Sequence, residues 1–184
     1  MKTFLYPYRF LLVLIIGAVW VFASQAEPGS TTSGSIPAPQ KGFLAPEFSL
    51  PDASGNPITL SVLRGQPVLV NIWASWCSPC RAEMPAMQRV FETYQSQGFT
   101  ILAVNAAHQD QALAALDFAG KLGLTFPILF DQTGEVSSQY QVQALPTSFF
   151  IDHDGIIQEV VVGGPMAEAL LEIRVQQLLQ KSGE

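Results

Sequence analysis

The chain has 184 residues, enough for one domain plus an appendage, and 48% of them are hydrophobic against 13% charged. Its net charge of −6 at pH 7 argues against nucleic acid as a partner. Two cysteines in the whole chain exclude a multi-disulfide scaffold, and two histidines leave few ligands for a metal.

Lys2 and Arg9 precede an uncharged apolar stretch, Phe10 to Ala23, followed by Ser24-Gln25-Ala26, a small-x-small pattern of the kind a signal peptidase cuts. Fourteen residues are short of the roughly 20 that a bilayer span needs, and counting from Phe4 reaches that length while taking in Pro7 and Arg9. Residues 1–26 are therefore expected to be an export signal, retained as a membrane anchor through residues 4–23 or cleaved near Ala26. The basic residues ahead of the apolar run place the C-terminal part outside the cytoplasmic membrane. Residues 27–42 are dominated by Pro, Gly, Ser and Thr, the composition of a tether with a root-mean-square span of roughly 20–25 Å. The remainder, 43–184, reads as one folded domain.

Within it, Ala45–Leu50 and Pro57–Leu60 bracket the turn chemistry Gly55-Asn56-Pro57 and predict a short N-terminal hairpin. Val68–Ala74 is nearly continuous in apolar character, as in a strand buried on both faces. Met84, Met87, Phe91 and Tyr94 then recur with helical period up to a stop near Gly98. A second strand follows over 99–105, a second helix over 109–122, a third strand over 126–130 and a helical turn over 134–140. Thr147–Ile151 and Ile156–Val162 flank Asp152-His153-Asp154-Gly155 and predict an antiparallel hairpin. Gly163-Gly164-Pro165 opens a last helix with Ala167, Leu171, Val175, Leu178 and Leu179 on one stripe. Strands alternating with helices and closing on a hairpin predict an α/β fold whose central sheet is parallel at first and mixed at its edge.

Both cysteines fall in Trp76-Cys77-Ser78-Pro79-Cys80, between a strand and a helix. A thiolate is the attacking species in disulfide exchange, and a helix N-terminus favours that anion through its half-positive dipole end and unpaired N–H groups. Cys77 sits there, so it is the expected nucleophile. Cys80, three residues on, shares its face of the helix and is the expected resolving thiol. Pro79 costs little in a first turn, where its missing N–H has no partner anyway. Half a zinc site is the competing reading, but only His108 and His153 could complete it, and both fall in loop or turn segments. An inert structural disulfide is a second one, yet so small a loop gains little from closure. The residues point to a reactive dithiol that needs neither metal nor organic cofactor.

The run Val68 to Pro85, containing Asn71, the cysteine motif and Arg81-x-Glu83-x-Pro85, resembles the TlpA/ResA-like branch of the thioredoxin superfamily. The similarity extends from Gly42 to the last helix and takes in Leu145-Pro146-Thr147. It implies a thioredoxin-like fold, a central mixed β-sheet flanked by helices, with an N-terminal β-hairpin and one βα insertion. Asn71 occupies the position of a buried aspartate in thioredoxins and cannot titrate. The resemblance hands the acid–base role to Glu83, although a carboxylate in a first helical turn is favourable without any chemistry. It makes Pro146 a cis-proline facing the dithiol, holding the Leu145 backbone for an extended substrate segment, with Trp76, Ser78, Pro79, Leu145 and Thr147 around the docking surface. Trp73 is expected in the core, and Gly163 and Gly164 beside Pro146. The implied activity is reduction of disulfides in exported proteins, apocytochrome c among them, with electrons from an integral-membrane thiol donor. The same residues would serve an oxidase, because the Ser78-Pro79 dipeptide does not set the direction. A peroxiredoxin-like thiol peroxidase is the remaining alternative, suggested by Ala45-Pro46-Glu47-Phe48. Against it, the positions of the peroxidatic Pro-x-x-x-Thr-x-x-Cys motif hold Val70 and Ala74.

Overall fold

The computed structural model describes residues 6–23 and 36–181. The cleavage position at Ala26 and the tether as far as residue 35 lie outside the described residues. Two compact units are present, one up to Thr32 and one from Ser33 onward. The first contains helix α1 (Tyr6–Ala23), whose 18 residues make about 27 Å of helix against a hydrocarbon core of about 30 Å. Among the described residues no helix is long and apolar enough to cross a membrane.

In the second unit, residues 42–44 lie along the start of the last strand: Gly42 N–H donates to the Ile157 carbonyl and Ile157 N–H to the Phe43 carbonyl. The hairpin is β1 (Ser49–Pro51) with β2 (Pro57–Thr59). The main sheet contains β3 (Val68–Trp73), β4 (Thr100–Asn105), β5 (Ile128–Phe130), β6 (Thr147–Ile151) and β7 (Ile157–Val162). They run in the order β5-β4-β3-β6-β7, with β4 parallel to both β3 and β5 and the β3–β6 and β6–β7 pairs antiparallel. The helices are α2 (Ser78–Tyr94), α3 (Ala112–Leu122), α4 (Glu135–Gln139) and α5 (Glu168–Lys181).

β3 is central and every residue of it is buried, which explains its lack of alternation. Its two faces nonetheless differ, because successive side chains point to opposite sides. Leu69 and Trp73 pack with Met84 and Met87 of α2, Phe118 of α3 and Leu171 and Val175 of α5. Val70 and Ile72 pack on the other side with Phe48, Leu129, Val136 and Tyr140. Burying each such side chain is worth about 1.5–3 kcal/mol, so α2 is held chiefly by its Met84–Met87–Phe91–Tyr94 stripe. Asn71 shares the α2-facing side with Leu69 and Trp73, a polar group set in an apolar layer.

Several boundaries differ from the sequence expectation, β1 beginning at Ser49 rather than at Ala45 among them. α3 begins at Ala112 rather than at 109, since Gln109 and Asp110 bind the turn ahead of the cysteines. β5 begins at Ile128, after Pro127, which has no N–H to offer the ladder. α5 begins at Glu168 rather than at the Gly-Gly-Pro stretch, the Ala167 carbonyl being the first to accept a helical N–H, and ahead of it the N–H of Met166 is directed to Glu83. Ala167 is exposed and Met166 takes the buried place expected for it.

Candidate active site

The C-terminal end of a fully buried strand feeds straight into the cysteine turn. Cys77 is the N-cap of α2, and its Sγ accepts the N–H of Cys80 at 3.3 Å. The two cysteines form a disulfide, Sγ–Sγ 2.05 Å. Cys77 keeps 4% of its surface open and Cys80 none, so the outer sulfur alone can be approached first. Trp76 beside it is 59% exposed, whereas Trp73 is wholly enclosed. Ser78 is exposed and Pro79 half-buried on the outer rim of the same turn.

The peptide bond between Leu145 and Pro146 is cis, as the resemblance implies. Pro146 leads directly into β6, and the Pro146 carbonyl accepts the N–H of Gly163 at 2.7 Å. Leu145 is half-buried, facing a groove of about 500 Å³ lined by Trp76, Gln109, Ser137, Gln143 and Ala144 among others. Thr147, expected at the docking surface, is 3% exposed, and its hydroxyl donates to the Ala144 carbonyl at 2.7 Å. Thr147 thus shapes the turn from within.

Glu83 is 1% exposed and lies in the second turn of α2, directed inward. The simple first-turn explanation for this carboxylate therefore fails. Its Oε1 accepts the Asn71 amide N–H at 2.9 Å and its Oε2 accepts the Met166 N–H at 3.0 Å. The other Asn71 N–H goes to Ser148 Oγ at 2.9 Å, directly across the β3–β6 register. Burial pushes the Glu83 carboxyl above the usual glutamate range, and the Met166 and Asn71 donors only partly counter it. The carboxyl is thus shifted toward holding a proton, three residues along the helix from Cys80.

A second carboxylate, which no local sequence pattern marked, holds the turn itself. Asp110 accepts the N–H of Ser75 at 2.5 Å and its hydroxyl at 2.6 Å, together with Asn105 Nδ2 and the N–H of Gln111. Partial burial pushes its pKa up, but those four donors outweigh it and hold the carboxyl below the usual aspartate range. Trp76 Nε1 donates to the Gln109 carbonyl, and Arg81 donates to the Ser75 carbonyl while lying over the Phe118 ring at 4.2 Å.

A Cys-x-x-Cys disulfide at a helix N-terminus after the central strand, with a cis-proline leading into the neighbouring strand of a five-stranded mixed sheet, is the arrangement of a thiol–disulfide oxidoreductase of thioredoxin-like fold. Residues 42–160 match the AhpC/TSA family, and the chain belongs to it. It is 42% identical over 122 residues to the thiol-disulfide oxidoreductase ResA of Geobacillus kaustophilus, covering 66% of this chain and 69% of that one. It is 40% identical over 125 residues to the thioredoxin-like protein YneN of Bacillus subtilis, covering 67% and 72%. Among solved structures, a thiol:disulfide interchange protein of the thioredoxin family from Chlorobium tepidum superposes with a TM-score of 0.68 at 31% identity, covering 74% of this chain and 95% of that one. StoA from Bacillus subtilis does so with a TM-score of 0.61 at 30% identity, covering 70% and 96%.

Proposed function

We propose that the protein reduces disulfides of exported proteins outside the cytoplasmic membrane, held there by residues 4–23. In the reduced enzyme the Cys77 thiolate attacks a substrate disulfide. One substrate sulfur leaves as a thiolate and takes up a proton, and the other stays in a mixed disulfide with Cys77. Cys80 gives up its proton, Glu83 being the acceptor, and its thiolate attacks Cys77 Sγ. The second substrate sulfur leaves as a thiolate and takes that proton from Glu83, so the substrate departs as a dithiol and the enzyme carries the Cys77–Cys80 disulfide. Two electrons from a membrane thiol donor and one proton restore the Cys77 thiolate and the Cys80 thiol. Trp76, Ser78, Pro79 and the Leu145 backbone beside Pro146 form the docking surface, and the groove next to Leu145 receives the chain around the substrate cysteine. Apocytochrome c is one substrate of this class, by family resemblance. Location outside the membrane rests on the basic residues that precede the apolar N-terminal run.

The observation that carries the reading is the asymmetry of the pair: an outer sulfur at the helix N-cap beside an exposed tryptophan, and an inner one enclosed near a buried carboxylate. Cys80→Ser in the native host should strand substrates on Cys77, and mass spectrometry of the adducts should return exported proteins. Adducts drawn only from cytoplasmic proteins would overturn the location. Direction is read from the equilibrium with a glutathione redox buffer, where a strongly oxidising pair would favour the oxidase instead.

A further inference from the structure

Two adjacent glycines separate β7 from α5, and they are glycine for different reasons. Gly163 has φ of +85°, a left-handed conformation, and a Cβ there would meet nothing within 4 Å. Gly164 has no such backbone demand. A Cβ at Gly164 would instead lie 2.8 Å from Glu83 Oε2 and 2.9 Å from Pro146 Cγ. Gly164 is itself exposed, so a single thickness of backbone separates the buried carboxylate from solvent.

We propose that Gly164 is a positioning residue for the acid–base carboxylate: having no Cβ, it lets residues 163–166 close over Glu83 and Pro146, excluding water and delivering the Met166 N–H. The inference rests on the reading of Glu83 as the proton-transfer group. The cover is fastened at both ends. Gly163 N–H bonds the Pro146 carbonyl at 2.7 Å, and Arg174 Nη1 of α5 bonds Met166 Sδ at 3.4 Å. Groups from several elements face the carboxylate. β3 presents Asn71, and β6 presents Ser148 through that amide. The cover presents the Met166 N–H, and Cys80 lies three residues back on α2 itself. Arg174, the cation behind Met166, is engaged by Glu159 at 2.8 and 2.9 Å. Burial is the largest influence on this carboxyl and acts upward, so lifting the cover should return it toward the ordinary range although one donor is lost with it.

The test is a ¹³C NMR titration of the Glu83 carboxyl in the full chain, alongside the pH profile of disulfide reduction. In Gly164→Ala the carboxyl midpoint should shift downward and the corresponding limb of the rate profile should move with it. A midpoint that is unchanged or raised in the folded variant overturns the proposal. In a Glu83→Gln background, Gly164→Ala should leave the rate profile where Glu83→Gln alone puts it; a further displacement overturns action through Glu83. If Gly164→Ala does not fold, the wild-type Met166 amide decides. It should titrate in step with the Glu83 carboxyl, and an amide indifferent to that titration overturns the cover. Should Glu83→Gln alone leave the rate profile unaltered, the acid–base reading fails, while the carboxyl titration still decides whether Gly164 sets the environment of Glu83.

Discussion

Glu83 and Asp110 flank the same cysteine turn and do opposite things. Glu83 is enclosed with two donors, too few to offset the loss of water, and its carboxyl is shifted toward the protonated form. Asp110 is only partly buried, has four donors and is shifted toward the anion. A carboxylate that can change its proton count suits chemistry, whereas one that stays charged suits scaffolding. The number of donors relative to the depth of burial, not the residue type, separates the two roles.

Cys77→Ser should give the largest effect, a loss of turnover on the order of 10³-fold or more in insulin-type reduction assays, because neither carboxylate supplies a nucleophile. Next, Glu83→Gln should lower the rate by on the order of 10²-fold and flatten its pH profile. Asp110→Asn should keep the shape of that profile while reducing the rate less; equal changes in profile would erase the distinction drawn between the two. Asp110→Ala should cost about 2 kcal/mol in urea unfolding, the worth of hydrogen bonds to a charged acceptor in a partly exposed site. Trp76→Ala should be the mildest, raising KM for a protein substrate roughly fivefold and leaving small disulfides unaffected.

The pH dependence of stability separates the carboxylates by sign. Glu83 is raised in the folded state, so folding favours its protonated form. Its contribution is fully present below the unfolded glutamate pKa and is lost as pH rises through the folded one. Asp110 is lowered, so its contribution is present above the unfolded aspartate pKa and is lost as pH falls through the folded one. Urea unfolding from pH 3 to 8 should show the falling limb vanish in Glu83→Gln and the rising limb weaken in Asp110→Asn. A rising limb lost in Glu83→Gln would contradict the assignment.

Much of the fold was legible because its elements are local patterns: the apolar run of β3, the helical stripe Met84–Met87–Phe91–Tyr94, and the β6–β7 hairpin across Asp152–Gly155. The dithiol was legible for the same reason, since strand, turn and helix N-terminus are contiguous. Asp110, Ser148 and Met166 were not. Each acts on the turn or on Glu83 across 35 to 83 residues of chain, through a carboxylate, a hydroxyl and a backbone N–H that look ordinary where they stand.

The sequence by itself determined the secondary elements and the pair of sulfurs, because periodicity and helix-end electrostatics operate over a few residues. Only the tertiary structure decided which carboxylate can carry a proton and which glycine must lack a side chain. Dehydration and steric exclusion at Glu83 come from β3, β6 and the loop before α5 meeting at one point, and no local stretch of chain encodes that meeting.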